Sequence, residues 1–404
     1  MSSMKDVELF ALALGLSEPW IVENIEFKPT EHRLDIQLGF KPGSRFTCFS
    51  CDYKGTAYDT MPKTWRHLNF FQHEAYLHAR VPRIDCPEHG VHLIDIPWAR
   101  KGSGFTLLYE ALMMIMVKEM SVKAVSRLTS TTDTRLWRIM DHYVSEDLAT
   151  QDLSKTTRIG IDETAAKRGH SYITVVADLD TGKAIYVTEG KDASTIKAFT
   201  EHLEAHGGLK TAITDVCTDM SPAFMSGIEE YLPQAALTFD RFHVMKLLGE
   251  AVNDVRKEES TMETVLRGSK YIWLSNPYNL SVKNLVRLNT LSGLQLKTGR
   301  AWRMMNIFKG LFEFSASRAI EELEKWRVWA TRSQLTPIIN FATMLKRHWD
   351  GIVRWLTSGV TNGLLESLNS LIQSAKTRAR GFRTIKNLKI MTYIVAGKLG
   401  QLPT

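Results

Sequence analysis

The chain has 404 residues, of which 44% are hydrophobic and 24% are charged, a composition typical of globular proteins and enough sequence for two to four domains. No apolar stretch approaches the roughly 20 residues that span a bilayer, and the first residues lack the pattern of a signal peptide. This excludes membrane-spanning and secreted classes and predicts a cytoplasmic protein.

Two short motifs near the amino terminus have the spacing of zinc ligands. Cys48 and Cys51 are separated by two residues, and so are Cys86 and His89. Two such pairs would form a closed Cys3His site for structural Zn²⁺, which would stabilise a β unit too small to fold on its core alone. The alternatives are reduced thiols beside a surface histidine, or a different histidine as the fourth ligand: His67, His73, His78 or His92. We predict a zinc-ribbon-like DNA-binding domain over residues 1–102, with strands near 34–38, 75–81 and 91–97.

Helical periodicity follows Gly104. One helix is predicted over residues 107–118, Ser121 begins a second, and Thr132 or Asp133 begins a third that carries an apolar stripe. Short helices joined by a tight turn favour a helix-turn-helix over residues 103–152. Its last helix would present these side chains to the major groove of DNA: Thr134, Arg135, Arg138 and Trp137. Helix pairs of this kind also occur in proteins that never bind DNA.

The pattern then changes to strands. Residues 158–162 read as a buried strand that ends in Asp162, residues 172–179 and 184–188 as a hairpin, and residues 194–206 as a helix. A further strand over 211–217 delivers Asp219. Three antiparallel strands, a helix and another strand are the order of a ribonuclease-H-like fold. Residues 153–257 and 348–404 are therefore predicted to form a ribonuclease-H-like catalytic domain, and the long polar stretch 258–347 a helical insertion, within an α/β multidomain protein.

Three carboxylates in this region are the strongest chemical signal. Asp162 and Asp219 follow strands, and Glu366 lies on a predicted polar helix face. Three converging carboxylates would hold two divalent cations, a pair that activates water or a sugar hydroxyl against a phosphodiester. The competitors are Glu163, Asp215, Asp178 and Asp180, of which the last two read as hairpin-turn acids. Cys217 lies in the apolar strand and is predicted to be a buried small residue.

A second polar motif, Asp240-x-x-His243, follows a strand at 236–239 and opens a helix predicted over 244–255. One interpretation is support for the carboxylate site, with His243 near the scissile phosphate or bonded to one of the three acids. The other is that Asp240 caps the helix and His243 packs in its first turn.

The net charge of +7 resides after Glu366, where seven Lys or Arg and no acid occur. A basic stretch beside a metal site suits DNA, and these residues are predicted to hold its backbone: Lys376, Arg378, Arg380 and Arg383. A solvated helix face is the alternative. The tryptophans of the helical stretch would either stack on an unpaired base or form core: Trp273, Trp302, Trp326 and Trp329.

An ordered set of motifs resembles the insertion-sequence transposases of the ISL3 family over nearly the whole chain. The resemblance rests on both cysteine motifs and on these segments: Trp65–Leu68, Ile96–Arg100, Asp219–Phe224, Phe239–Val244, Asn362–Asn369 and Ala379–Arg383. It implies a DDE transposase with a zinc-binding region, a helix-turn-helix and a ribonuclease-H-like domain. By position, it makes Asp162, Asp219 and Glu366 the ligands of Mg²⁺ or Mn²⁺.

The resemblance also implies partners and an activity. Double-stranded DNA would be bound at the terminal inverted repeats of the element and at the target, by a homodimer or a larger assembly. The ends would be cut by metal-dependent hydrolysis and the 3′-hydroxyl groups joined to target DNA. The alternatives are a DNA-binding regulator with an inactive catalytic domain and a structure-specific nuclease that does not transfer strands.

Overall fold

The structure is a computed structural model that describes residues 6–167, 171–358 and 363–400. The described residues divide into two compact units, one formed by residues 6–143 with 399–400, and one formed by the described residues between 144 and 398. Asn362, the first residue of the predicted glutamate motif, lies outside the described residues. Among the described helices, none has the length and apolar character needed to cross a bilayer.

The first unit consists of one helix, a sheet of five strands with a separate hairpin, and three further helices. Its elements are α1 Asp6–Ala13, β1 Trp20–Lys28, β2 Arg33–Phe40, β3 Arg45–Thr47, β4 Lys54–Thr56, β5 Asp59–Arg66, β6 Glu74–Cys86, β7 Gly90–Leu93, α2 Leu107–Glu119, α3 Val122–Leu128 and the start of α4 Asp133–Ala149. The sheet has the order β1-β2-β6-β5, with β7 paired to β6, and β3 and β4 form a separate hairpin. Leu34, Ile36 and Leu38 alternate along β2 and are each at most 2% exposed, so one face of the sheet is the core.

Helix α2 begins where predicted, α3 begins directly after its predicted capping residue Ser121, and α4 begins at Asp133, as predicted. Thr106 accepts a hydrogen bond from the Tyr109 amide at 3.3 Å, and Ser121 accepts one from the Ala124 amide at 3.3 Å. The apolar stripe of α4 is buried, as its spacing predicts. The predicted positions and types of these helices are therefore confirmed.

His67 links the end of β5 to the start of α2. Its Nδ1 lies 2.9 Å from the hydroxyl of Thr106, the N-cap of α2. Burial, together with the charge of Arg66, lowers the pKa of His67 to about 4. The folded state therefore disfavours the imidazolium form of His67. His67 contacts Thr106 and is not among the residues that cluster with the three cysteines of the zinc motifs, so it is not the fourth ligand that the sequence left open.

We expect this unit to lose stability as the pH falls from about 6.5 to about 4. Above about 6.5 the imidazole is neutral in both states, whereas below it the unfolded chain binds a proton that the folded chain excludes. The protonation of His67 should lower the free energy of unfolding by an amount on the order of 2 kcal/mol over this pH range. Urea unfolding at several pH values would measure it, and His67→Gln, which keeps a partner for Thr106 without titrating, should reduce the pH dependence. Parallel pH profiles for the two proteins would contradict this assignment.

The second unit is a mixed sheet followed by helices. Its strands are β8 Arg158–Lys167, β9 Ser171–Asp178, β10 Lys183–Glu189, β11 Asp215–Thr218 and β12 Ala236–Phe239. Its helices after the end of α4 are α5 Ala193–Ala205, α6 Pro222–Tyr231, α7 Arg241–Glu259, α8 Lys270–Leu274, α9 Val282–Gly293, α10 Lys297–Gly310, α11 Ala316–Thr331, α12 Thr336–Arg347, α13 Trp349–Ser358, α14 Gly363–Arg378 and α15 Ile385–Ala396. The strand order is β10-β9-β8-β11-β12, in which β9 is antiparallel to both its neighbours and β8, β11 and β12 run parallel.

Three predicted boundaries in this unit are wrong. The strand that carries Asp162 continues to Lys167, because its antiparallel pairing with β9 extends beyond its parallel pairing with β11, which ends at Ile161. The strand before Asp219 starts only at Asp215, since residues 210–212 form a 3-10 turn. Helix α7 begins at Arg241 and has 19 residues, so it is longer than its apolar pattern suggested.

Residues 258–347 contain helices and turns, as predicted, and two of their tryptophans are core residues. Trp273 is 1% exposed and donates to the Ser269 hydroxyl at 3.2 Å, and Trp326 is 3% exposed and donates to the Met304 carbonyl at 2.9 Å. Their stacking on a DNA base is therefore ruled out in this fold. Trp329, by contrast, is 41% exposed.

Candidate carboxylate and zinc sites

Three aspartates lie side by side at the edge of the sheet where the parallel pairing of β8, β11 and β12 stops. Ile161 is level with Thr218, and Thr218 is level with Phe239, so the residues that follow them, Asp162, Asp219 and Asp240, are aligned. The amide of Asp240 continues the ladder by donating to the Thr218 carbonyl at 3.1 Å. Carboxyl ends of parallel strands are where such sheets place their ligands, so this edge is the candidate site. The sequence had not aligned Asp240 with the other two.

Asp162 is the buried member of this row and is 8% exposed. Burial raises its pKa to about 6, an effect that the negative charges of Asp219 and Asp240 reinforce and that His243 opposes. These four groups are therefore close enough to influence each other electrostatically. A buried carboxylate next to other carboxylates is the usual environment of a cation site.

Asp240 and His243 combine the two interpretations that the sequence left open. Asp240 caps α7 by accepting from the Phe242 amide at 3.1 Å, and its other oxygen lies 2.8 Å from Nδ1 of His243. That hydrogen bond, together with the charges of Asp240, Asp162 and Asp219, raises the pKa of His243 above its ordinary value. The geometry leaves Nε2 of His243 as the ring nitrogen not bound to Asp240.

Helix α14, which carries Glu366, is bound to Asp162 through Asn369. The Asn369 amide donates to Asp162 Oδ2 at 2.6 Å, and its carbonyl oxygen accepts from the Thr164 hydroxyl at 2.7 Å. Glu366 is in the first turn of α14, is exposed, and precedes Asn369 by three positions, so the two share one helix face. Asn369 is a site residue that the sequence analysis missed, and the Glu366-x-x-Asn369 spacing was the available signal.

The carboxylates are not gathered as tightly as the zinc ligands described below. Among the described residues, one group of three or more His, Cys, Asp or Glu has all its ligand atoms within 4.8 Å of one another. That group is the Cys3His cluster. Asp162, Asp219 and Glu366 do not meet that criterion. The structure thus joins Asp162 to Asp219 by strand register and to the Glu366 helix by Asn369.

The competing acids have structural partners. Asp215 pairs with Arg354 at 2.8 Å, and Glu163, which points to the opposite face of β8 from Asp162, pairs with Lys191 at 3.4 Å. Asp178 accepts from two amides of the hairpin turn at 2.8 Å. Asp180 pairs with Arg158. Cys217 is fully buried in β11, and that burial raises the pKa of its thiol to about 12, as expected for a packing residue.

Gly160 provides the space in which α14 packs on β8. A Cβ at this position would lie 2.6 Å from Cδ1 and 2.9 Å from Cγ of Leu365, the neighbour of Glu366. Leu365 is 1% exposed, so it has little room to move away. Gly160 and Asp162 point to the same face of β8, which places this contact beside the candidate site.

We expect Gly160→Ala to reduce the activity of the candidate site by about tenfold or more, because a displacement of an ångström at a reacting group is enough for such a loss. Stability should fall by about 1–3 kcal/mol, the usual cost of overpacking. A single-turnover assay of that activity and urea unfolding would measure the two effects. Gly160→Ala combined with Leu365→Ala should recover part of the rate, and a double variant slower than both single variants would oppose this explanation.

The zinc motifs of the first unit come together as predicted. Cys48 and Cys51 lie in the β3–β4 hairpin, and Cys86 and His89 in the turn from β6 to β7. Cys51 Sγ lies 3.6 Å from Cys86 Sγ, and His89 Nδ1 lies 3.6 Å from the sulfurs of both Cys48 and Cys86. Tetrahedral zinc, with bonds of ~2.3 Å to sulfur and ~2.0 Å to nitrogen, separates its ligands by ~3.5–3.8 Å. The cluster therefore fits one Zn²⁺ ion.

The other histidines have different partners. His78 lies 2.6 Å from the buried Asp35, and His92 lies 2.9 Å from the Gly90 carbonyl. His73 packs against Phe27 and His32. Among these histidines, His89 is thus the one that lies with the three cysteines, where the spacing placed it.

The predicted DNA-reading helix is held by a buried carboxylate. Glu110 of α2 is fully buried and accepts from Arg100 at 2.8 Å, Ser103 at 2.7 Å and the hydroxyl of Tyr143 of α4 at 2.8 Å. Arg135 and Arg138 are exposed on α4. The role of Glu110 was not predicted from the sequence, because a single acid in an apolar helix does not indicate which residues it contacts.

The basic stretch after Glu366 divides into two kinds of residue. Lys376 donates to the Ala165 carbonyl, and Lys398 donates to the Thr181 carbonyl at 2.8 Å, so both help to hold the fold. These three side chains are exposed: Arg378, Arg380 and Arg383. Lys376 is therefore engaged within the protein, whereas the three arginines lie on its surface.

Comparison with known proteins agrees with this arrangement. Residues 159–392 match the ISL3 family described as transposase, residues 94–144 match the helix-turn-helix domain of transposase family ISL3, and residues 44–89 match the zinc-finger of transposase IS204/IS1001/IS1096/IS1165.

Two relatives span nearly the same length. The transposase for insertion sequence element IS1557 of Mycobacterium tuberculosis (strain CDC 1551 / Oshkosh) is 27% identical, with 99% of this chain and 98% of that protein aligned. The transposase for insertion sequence element IS1001 of Bordetella parapertussis is 24% identical, with 92% and 94% aligned.

The ordered zinc, helix-turn-helix and catalytic regions define a DDE transposase, an enzyme that processes DNA. The match over 159–392 covers more than half of the sequence. The chain belongs to the ISL3 family of transposases, and the family predicted from its motifs is confirmed.

Proposed function

We propose that this transposase binds the terminal inverted repeats of an insertion sequence, hydrolyses the DNA at the ends of the element and transfers the freed 3′-hydroxyl groups to target DNA. The alignment of Asp162, Asp219 and Asp240 on three parallel strands, with the Glu366 helix bound to Asp162 by Asn369, is the main support. The strand order β10-β9-β8-β11-β12 supports a ribonuclease-H-like fold interrupted by residues 258–347.

Asp162, Asp219 and Glu366 are proposed as the metal ligands. Their carboxylate oxygens are the hard donors that Mg²⁺ or Mn²⁺ prefers, and the raised pKa of the buried Asp162 indicates a position where negative charge is costly without a cation. When bound, the metal ions would activate water or the 3′-hydroxyl group and neutralise charge on the leaving oxygen.

His243 is proposed to act on the phosphate rather than on the metal. Asp240 fixes the ring by its 2.8 Å contact with Nδ1, and the same contact raises the pKa of His243, which shifts the ring toward the imidazolium form. Its Nε2–H group would then offer a positively charged donor to a phosphate oxygen. Asp240 is a positioning residue in this scheme.

DNA binding is assigned to separate surfaces. The zinc region and α4, with the exposed Arg135 and Arg138, are proposed to read the terminal repeats. Arg378, Arg380 and Arg383 are proposed to contact the backbone near the cut, where they add affinity without sequence information. A dimer or larger assembly would bring two ends together. The domain limits proposed are 1–102, 103–152, and 153–257 with 348–404 around 258–347.

The decisive experiment supplies the full-length protein with precut terminal DNA, a target plasmid and Mg²⁺. Joined products that need both the 3′-hydroxyl group and the metal are expected. Cleavage of uncut ends without joining would identify a nuclease instead, and repeat binding without any metal-dependent nicking would identify a regulator. Either result would overturn the proposed transfer step.

A further inference from the structure

A long basic surface in the helical part of the second unit has no role in the site described above. From Thr264 to Phe312 the sequence has no acidic residue and eight Lys or Arg. Glu263 and Glu313 border this stretch. The stretch after Glu366 is the other long basic run without an acid, so this one is a second and separate concentration of positive charge.

The cations of this stretch also differ from their neighbours in having no acidic partner. Just before it, Lys257 pairs with Asp254 at 2.7 Å, and just after it, Lys325 pairs with Glu321 at 2.7 Å. All of residues 264–312 lie within the described chain, and none of their eight cations forms an ion pair there. The charge of the exposed members of this set is therefore available to an external anion: Arg267, Lys270, Lys283, Arg287, Lys297 and Arg303.

Four of these cations lie on one small substructure. Helix α8 and helix α9 pack around their own core of Leu266, Trp273 and Leu288. The guanidinium of Arg287 donates to the carbonyl of Arg267 at 2.9 Å and to that of Val265 at 3.3 Å, which fixes α9 beside the turn before α8.

On α9, Lys283 and Arg287 are four positions apart and share a face, an arrangement of like charges that disfavours an isolated helix. Together with the exposed Arg267 and Lys270, they form a cluster of positive charge. A polyanion bound to this cluster would relieve the repulsion.

Exposed aromatic rings accompany this cluster. Tyr271 is 72% exposed and Tyr278 is 95% exposed, and the Lys270 ammonium lies 5.3 Å from the Tyr271 ring centre. Positive side chains interleaved with exposed aromatic rings are typical of surfaces that follow a nucleic acid backbone.

We propose that this face, which we call the α8–α9 face and define as Arg267, Lys270, Tyr271, Tyr278, Lys283 and Arg287, binds the backbone of DNA outside the cleavage site. The inference rests on the proposed function only for the choice of DNA as the polyanion. It adds a second backbone contact within the catalytic unit, besides the arginines that follow Glu366.

The test removes three charges from the face and, in a control, three charges elsewhere. The first variant combines Arg267→Gln, Lys270→Gln and Lys283→Gln, and spares Arg287 because its hydrogen bonds hold the turn. The control combines Lys257→Gln, Lys325→Gln and Lys197→Gln, which are exposed helix cations paired with acids. Both variants lose the same net charge. Dissociation constants for a random 40-base-pair duplex and a 40-nucleotide single strand are measured at several salt concentrations without added divalent metal.

The face variant is expected to lower the log–log salt slope on duplex DNA by about 2–3, since each lost phosphate contact accounts for about 0.9. The control variant should change the same salt slope by less than 1. A larger loss of affinity for duplex DNA than for the single strand would identify the duplex backbone as the ligand. A larger loss of affinity for the single strand, which increases further when Tyr271 and Tyr278 are replaced with Ala, would identify stacked bases as the ligand instead.

Equal slopes for the two variants on both DNAs would overturn the proposal, as would a change in sedimentation coefficient with unchanged DNA binding, which would mark a protein interface. If the triple variant melts below the control, Lys270→Gln and Lys283→Gln are measured singly. Because no cleavage is involved, this result is independent of whether the protein transfers strands.

Discussion

Replacing Asp219 with Asn should abolish metal-dependent nicking of terminal DNA and leave binding of the same DNA unchanged. The substitution keeps Oδ1, which accepts from the Ser221 amide at 3.0 Å, and removes only the negative charge. A metal pair held by carboxylates loses both charge and a ligand in this change. The expected loss of rate is about 10³-fold or more, equivalent to about 4 kcal/mol of transition-state stabilisation.

Asp219 is a better test than Asp162. Asp162 is bound by the Asn369 amide, so its replacement would also loosen the helix that carries Glu366 and would confuse packing with chemistry. Asp219 is half-buried, and its substitution leaves the contact between α14 and β8 intact. Single-turnover nicking and equilibrium binding, measured on one labelled DNA, separate the two effects.

Glu163→Gln is the matched control. Glu163 follows Asp162 directly, points to the other face of β8 and pairs with Lys191, so its neutralisation should leave nicking within about threefold of the parent rate, the change expected from a surface substitution of about 0.5 kcal/mol. Nicking that survives Asp219→Asn, or that disappears with Glu163→Gln, would reassign the metal ligands.

Features that depend on local spacing were predictable from the sequence. A few neighbouring residues are enough to predict each of the following: the Cys-x-x-Cys and Cys-x-x-His pairs, the caps at Thr106 and Ser121, and the strand over 236–239. In such segments the chemistry and the backbone geometry are set by neighbours along the chain. The family resemblance depended on the same local motifs.

Features that depend on tertiary pairing were not predictable. Asn369 and Asp162 are 207 positions apart in the sequence, and no periodic pattern predicts a side-chain hydrogen bond between residues so far apart. Asp240 was placed after a strand, but its alignment with Asp219 follows from the register of β11 and β12. The end of β8 was misplaced for the same reason, because its antiparallel partner continues after its parallel partner stops.

Replacing Cys86 with Ser should remove zinc and with it the binding of terminal DNA. A hydroxyl is a poor zinc ligand compared with a thiolate, and the apparent free energy of zinc binding in small zinc domains is about 10–16 kcal/mol, far more than an ordinary side chain contributes. Cys86 is 1% exposed at the end of β6, so the β3–β4 hairpin and the turn to β7 lose their common anchor. Zinc released by a thiol reagent should fall from one ion per chain to none.

The loss of structure that follows zinc removal should be local to the two cysteine motifs. A zinc ion that organised the whole first unit would instead cause the entire unit to unfold when it is removed. The sheet β1-β2-β6-β5 has a core of its own, in which Leu34, Ile36 and Leu77 are nearly inaccessible, and it should survive when the two motifs come apart. Far-ultraviolet circular dichroism should therefore change little, while proteolysis becomes faster within residues 44–58.

Cys217→Ala is the matched control, because it removes the one cysteine that lies outside the cluster and is fully buried in β11. It should keep one zinc per chain and bind terminal DNA, at a stability cost on the order of 1 kcal/mol. A Cys86→Ser protein that still holds one zinc would show that the ion is bound elsewhere, and one that loses zinc but still binds the terminal repeats would assign repeat recognition to the helix-turn-helix alone.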